Sequence, residues 1–200
     1  MAAQVLLIAC GALAREIVLL TKQNDWQHLK VQCLPAELHN TPEKIPGAVV
    51  AAIQSYRDDF EHIFVAYADC GTGGQLDKAL APYRVERLPG AHCYEFFTGS
   101  AKFAGFCDAE PGTFYLTDFL VRHFERLVIK GLGLDRHPEL KNEYFRHYRR
   151  IMYLAQSRSE DLRQQARAHA NYLGLAYAEH FTGFEPFTGA FRENIVRWQN

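Results

Sequence analysis

Three cysteines in this 200-residue chain come close behind three apolar runs that read as strands. Cys10 follows residues 4–9, Cys70 follows residues 63–68 and Cys93 follows residues 83–88. His39 stands in the same relation to residues 29–34. Thiolate and imidazole suit zinc, and thiolates suit iron–sulfur clusters. A thiolate is also a nucleophile in its own right. These residue types therefore point to soft-metal chemistry or to thiol chemistry. Cys10, Cys70, Cys93 and His39 are the candidate ligands. Asp69, His92 and Glu95 lie beside the cysteines, with His92 and Glu95 as candidates for acid–base work and Asp69 for substrate contact.

For these groups to act together, the strands that precede them must share an edge. The apolar runs at 4–9, 29–34, 63–68 and 83–88 are separated by segments with helical spacing or helix-start signals, at 12–22, 48–56 and 74–80. Leu13, Ile17 and Leu20 give the clearest helical spacing. Strands alternating with helices predict a parallel sheet covered on both faces, with right-handed crossovers. In such a sheet all strand ends of one polarity lie together, and ligands bind outside the carboxyl ends. The expected fold is a doubly wound, flavodoxin- or Rossmann-like α/β domain. Residues 1–96 form its βα half and residues 97–200 a mainly helical half. In the latter, helices are expected over 117–130, 138–155 and 159–173, with a last strand over 175–181.

The glycine-rich turn Gly71-Thr72-Gly73-Gly74 offers backbone amides to an anion at a helix start. It lacks the Gly-Lys-Ser/Thr ending of a P-loop, which argues against nucleotide hydrolysis. CGALARE after the first strand has one glycine where a dinucleotide fingerprint has three, so no nicotinamide or flavin dinucleotide is expected. Arg15 and Arg149 are candidates for anionic groups of a small-molecule substrate, with Tyr153 beside Arg149. Cys33, inside a strand, and Cys107, near a helix end, read as structural.

Composition narrows the classes further. A formal net charge of -1 leaves no basic footprint for nucleic acid. The apolar start of the chain has no basic leader, and Arg15-Glu16 interrupt it before it reaches spanning length, so neither a targeting segment nor a membrane span is expected. A cytoplasmic protein with five free thiols or thiol ligands follows, with homo-oligomerisation left open.

Several segments together resemble the domain of unknown function 1638 family. They are ACGALAREI at 9–17, LHN at 38–40, YADCGTGG at 67–74, GAHCYEF at 90–96 and TFYLTDFLVRHF at 113–124. Members of that family are often encoded beside corrinoid-dependent methyltransferases. The resemblance thus implies a role in methyl-group or corrinoid metabolism, with a corrinoid protein or methyltransferase as partner. Three functions are in play. One is a zinc or iron–sulfur protein with an open coordination position on Cys10, Cys70, Cys93 and His39. Another is a non-catalytic accessory protein that binds a corrinoid protein or delivers metal. The third is a metal-free enzyme with Cys70 or Cys93 as nucleophile and His92 as base.

Overall fold

The computed structural model describes residues 5–195. It divides into two compact units, one of residues up to Cys93 with those from Thr188 onward, the other Tyr94–Phe187. The first unit holds four parallel strands, β1 (Val5–Cys10), β2 (Leu29–Leu34), β3 (His62–Ala66) and β4 (Glu86–Arg87), in the order β2-β1-β3-β4. Helices α1 (Ala14–Gln23), α2 (Ile45–Tyr56) and α3 (Gln75–Leu80) connect them. The expected first residue of β1, Gln4, lies outside the described residues.

Burial explains why these segments fold as they do. All six residues of β1 are buried, as a parallel strand with a helix layer on each face requires. Ile17 and Leu20 of α1, with Leu13 just before it, form one apolar stripe; Ile45, Val49 and Ile53 form that of α2. Each such side chain contributes about 1.5–3 kcal/mol by leaving water. Pro46 sits in the first turn of α2, where its missing N–H costs nothing, so the helix starts three residues before the expected 48.

The strand order creates the functional geometry. From β1 the chain steps outward to β2, then returns past β1 to β3 and on to β4. Right-handed crossovers put α1 on one face and α2 and α3 on the other, and α2 and α3 do pack together. The connections leaving β1 and β3 therefore part to opposite faces. A crevice at the carboxyl ends of two adjacent strands is the usual ligand position in a doubly wound sheet.

The second unit is built around its own parallel sheet, β5 (Thr113–Thr117), β6 (Arg150–Ala155) and β7 (Ala176–Phe181), in that order. Around it lie α4 (Glu95–Thr98), α5 (Ser100–Ala109), α6 (Asp118–Arg122), a π-helical stretch at Glu125–Lys130, α7 (Leu140–Phe145) and α8 (Glu160–Leu173). A last helix, α9 (Glu185–Ile195), runs from this unit into the first. One sheet face packs Tyr115, Met152 and Leu154 against Phe103, with Phe106 and Cys107 beside them.

The parallel α/β class is as the sequence predicts, and β7 matches the expected last strand. The helix expected over 138–155 is corrected: only α7 is helical, and the apolar run Ile151–Ala155 lies in the central strand of the sheet. Five consecutive apolar residues fit a strand buried on both faces as well as a helix core, and periodicity does not separate the two. Strand β5 was absent from the sequence reading for the same reason. Thr117 does cap a helix, its hydroxyl accepting from the Leu120 amide, and the helical stretch continues after a turn at His123 as the π-helical Glu125–Lys130, where the expected helix ends. Among the described residues no helix is long and apolar enough to cross a membrane.

A test of this geometry lies at Gly11, where a Cβ would come within 2.9 Å of the Leu34 carbonyl oxygen at the end of β2. Gly11→Ala is expected to lower unfolding free energy by about 1–3 kcal/mol. Gly47→Ala in α2, where a Cβ meets nothing within 4 Å, should instead raise it by up to about 1 kcal/mol. Urea denaturation of the two variants measures both.

Candidate functional site

The site grows out of the β1–β3 pairing. Ala9 is in register with Ala66, so the next residues, Cys10 and Tyr67, lie side by side at the edge of the sheet. Beyond β3 the backbone stays paired. Leu88 donates to the Val65 carbonyl, Asp69 donates to Gly90 (3.1 Å) and Cys70 donates to Ala91 (2.9 Å). The segment after β4 thus rides along the segment after β3. Arg87 holds it from the other side, forking onto Asp77 at 2.6 and 2.8 Å and donating to the Leu88 carbonyl at 2.8 Å. The result is a direct contact: the sulfurs of Cys70 and Cys93 are 2.8 Å apart.

Cys70 sits in the left-handed region, with φ of +50°, between the buried Ala68 and a turn in which Gly71, Gly73 and Gly74 also have positive φ. A β-carbon residue there stores strain, of order 1 kcal/mol or more, that surrounding structure must offset. The offset is visible in Asp69. Its carboxylate accepts from the Thr72 hydroxyl at 2.6 Å and from the Gly73 and Gly74 amides at 3.0 and 2.8 Å. Although desolvation opposes it, these bonds and the Arg87 charge hold the Asp69 carboxyl below its ordinary value. Asp69 is thus the clasp of its own turn, and the amides that the sequence offered to an external anion are filled by it.

The thiols divide into unlike roles. The Cys93 thiol donating to Cys70 lowers the Cys70 pKa most; the Cys93 and Ala68 amides add to this against desolvation. Cys93 is pushed up by the same bond and by burial. Cys70 is therefore the more acidic thiol of the pair and Cys93 the less acidic one. Burial pushes Cys10 up to about 11, so it is a neutral thiol. Tyr67, 2% exposed, is raised by burial and by the charges of Cys10, Cys93 and Cys70. Its hydroxyl meets strict hydrogen-bond geometry with no partner among the described residues, and its polar neighbour is the Cys10 sulfur. Desolvation and His92 lower His39 together, which places the two imidazoles within electrostatic reach of each other; His39 still keeps much of its surface in water.

The structure therefore gathers Cys10, Cys70 and Cys93 at one edge, with His39 and His92 as a neighbouring pair. Tyr67 and Arg87 are members that the sequence reading did not pick. Tyr67 lay inside the YADCGTGG stretch, and its register with Cys10 was the available signal. Arg15 is exposed on α1. Glu95 opens α4 and belongs to the second unit. Arg149 and Tyr153, read as residues of one helix, are corrected: Arg149 precedes β6 at the amino end of its sheet, and Tyr153 lies within β6. The Tyr153 hydroxyl donates to Asp118 at 2.7 Å, in a buried cluster where Asp118 also accepts from the Gln156 amide and the Ser157 hydroxyl. That cluster ties the end of β5 to the end of β6. Cys107 lies near the Tyr115 hydroxyl at 3.6 Å within the second unit.

The donor types suit a thiophilic metal, but their spacing does not yet form a shell. Among the described residues no group of three or more His, Cys, Asp or Glu side chains stands ready to hold a metal ion. Two sulfurs are in contact; a third donor would have to close in.

A family model described as "Protein of unknown function (DUF1638)" matches residues 33–190. Cys70, Cys93, His39 and His92 fall within that stretch, and Cys10 precedes it. No curated protein and no solved structure matches the chain.

Two outcomes test the local electrostatics. Asp69→Ala should cost about 1–3 kcal/mol in denaturant unfolding, since three donors lose their acceptor. Because the folded Asp69 carboxyl titrates below its ordinary 3.8, its contribution is present above that pH and disappears as pH falls through the folded value. The raised Cys10 pKa works in the opposite sense. Its contribution is complete below 9.0 and is lost as pH rises toward 11. Wild-type stability should fall by about 2–3 kcal/mol more across that window than stability of Cys10→Ala.

Proposed function

This chain belongs to the DUF1638 family, and we propose that it works through a thiolate at Cys70 that attacks a small electrophilic substrate. The observation that carries this reading is the 2.8 Å contact between the Cys70 and Cys93 sulfurs. It gives Cys70 a hydrogen-bond donor that stabilises negative charge without a metal. Both residues are half-buried. Cys70 is the nucleophile, held in its strained turn by the Asp69 clasp. Cys93 is the donor that keeps Cys70 charged and can pass its proton to a leaving group. Cys10 and Tyr67 lie buried within electrostatic reach of the pair. A methyl group on an electrophilic carrier is one substrate of the right kind, since thiolates are soft nucleophiles. A corrinoid protein or methyltransferase is the partner this substrate implies.

A second reading follows from the electrostatic reach of Cys10 to Cys70 and Cys93, which sets a third sulfur beside the pair. Cys70, Cys93 and Cys10 would then hold zinc or an iron–sulfur cluster once Cys10 closed in. The metal would supply Lewis-acid or redox chemistry. The protein would supply the sulfurs, with the Ala12 amide donating to Cys10 and the Tyr67 hydroxyl beside it.

Anaerobic purification followed by elemental analysis and timed iodoacetamide labelling at neutral pH separates the two. Metal-free protein in which Cys70 is labelled about tenfold or more faster than the other four cysteines, with that advantage lost in Cys93→Ser, is the expected result. Stoichiometric zinc or iron that disappears in Cys70→Ser would move the assignment to the metal centre. Slow labelling of Cys70 in metal-free protein would overturn the proposal.

A further inference from the structure

We propose that Cys70 and Cys93 are also an oxidation-sensitive pair, which a hydroperoxide closes into a disulfide and a small thiol reopens. The inference rests on the Cys70 thiolate of the preceding reading and adds a second fate for it. Two features carry it. First, the sulfurs are already 2.8 Å apart, so forming a bond of about 2.0 Å requires movement of less than about 1 Å. Second, the backbone under them need not rearrange. The Asp69–Gly90 and Cys70–Ala91 hydrogen bonds hold the two segments together, and Arg87 anchors the second to Asp77 on α3. Cys70, the nucleophile of the preceding reading, is the attacking cysteine and Cys93 the resolving one.

The chemistry balances with hydrogen peroxide as the oxidant. The Cys70 thiolate attacks one peroxide oxygen and the O–O bond breaks. The departing oxygen leaves as water after taking up a proton, and Cys70 becomes a sulfenic acid. The Cys93 sulfur then attacks the Cys70 sulfur. An S–S bond forms, the S–O bond breaks, and the hydroxide leaves as a second water with the Cys93 proton. Two electrons drawn from the two sulfurs have reduced one peroxide to two waters. A reducing thiol reverses the change by exchange through a mixed disulfide.

Cys33 lies on β2 and Cys107 belongs to the second unit, while Cys10, beside the pair, is buried. The expected product is therefore a single cross-link. Oxidation would remove the nucleophile, so the same event would switch off chemistry at Cys70 until a thiol restored it.

The test uses the full chain, reduced and desalted under anaerobic conditions, then treated with a small excess of hydrogen peroxide. Remaining thiols are blocked and the protein is analysed by intact and peptide mass spectrometry. The expected result is a loss of two hydrogens per chain, recovered as a Cys70–Cys93 cross-linked peptide pair at least about tenfold over any other pairing. Dithiothreitol should reverse it. In Cys93→Ser, dimedone should trap a sulfenic acid at Cys70, which keeps the inference testable without the cross-link. A stable sulfenic or sulfinic acid at Cys70 in the wild type, or a dominant cross-link to Cys10, would overturn the proposal. Iodoacetamide labelling of untreated protein in parallel tells the two ideas apart. Fast labelling of Cys70 without peroxide-driven cross-linking defeats the oxidation pair alone, whereas slow labelling defeats the thiolate reading beneath it.

Discussion

The candidate site depends on backbone pairing that continues past the end of a strand. The short β4 contributes only two residues of ladder, Glu86 and Arg87. Pairing persists beyond it through the amides of Leu88, Asp69 and Cys70. Those bonds fix the separation of two loops that would otherwise move independently on the surface. Because loop amides and carbonyls at a sheet edge must find partners somewhere, making these bonds to each other satisfies the backbone and aligns two cysteines in one step. The thiol contact is a consequence of this pairing more than of any attraction between sulfurs.

The turn between Cys70 and α3 shows how the protein maintains an unfavourable conformation at a working residue. Four glycine-rich positions let the chain reverse tightly, yet the position at the start of the turn is a cysteine with positive φ. The Asp69 carboxylate, bound to Thr72, Gly73 and Gly74, keeps the turn closed and brings a negative charge near Cys70. The bond to Cys93 and two amides favour ionisation of Cys70, while desolvation and, less, that charge oppose it. The hydrogen bonds win because they act at contact distance, whereas the carboxylate is itself neutralised by donors and by Arg87.

Much of this was legible in the sequence, for physical reasons that can be traced. Strands β1 and β3 announce themselves as short, wholly apolar runs, and Leu13, Ile17 and Leu20 carry the helical period, so the parallel class and the shared edge of Cys10 and Cys70 followed. Cys93 joined them only because its loop is paired to the Cys70 loop, which no local pattern encodes. The turn-closing role of Asp69 was not legible, because a carboxylate before a glycine run reads the same whether its donors lie in its own turn or outside it. The second unit was read as helical because YRRIMYLAQ offers apolar and basic residues to either period. Tyr153 was therefore placed on a helix face when its hydroxyl is consumed by Asp118 inside a sheet.

The three thiols differ in acidity: Cys70 is lowered, Cys93 is raised by its bond to Cys70, and Cys10 is raised by burial. The most direct measurement is a pH titration of thiolate ultraviolet absorbance, comparing wild type with Cys70→Ser. The expected wild-type curve contains one thiol that ionises below the ordinary 9.0 and is missing from the variant, while Cys10 ionises near 11 in both. A wild-type curve in which every thiol ionises at or above 9.0, superimposable on that of the variant but for one ordinary cysteine, would contradict it.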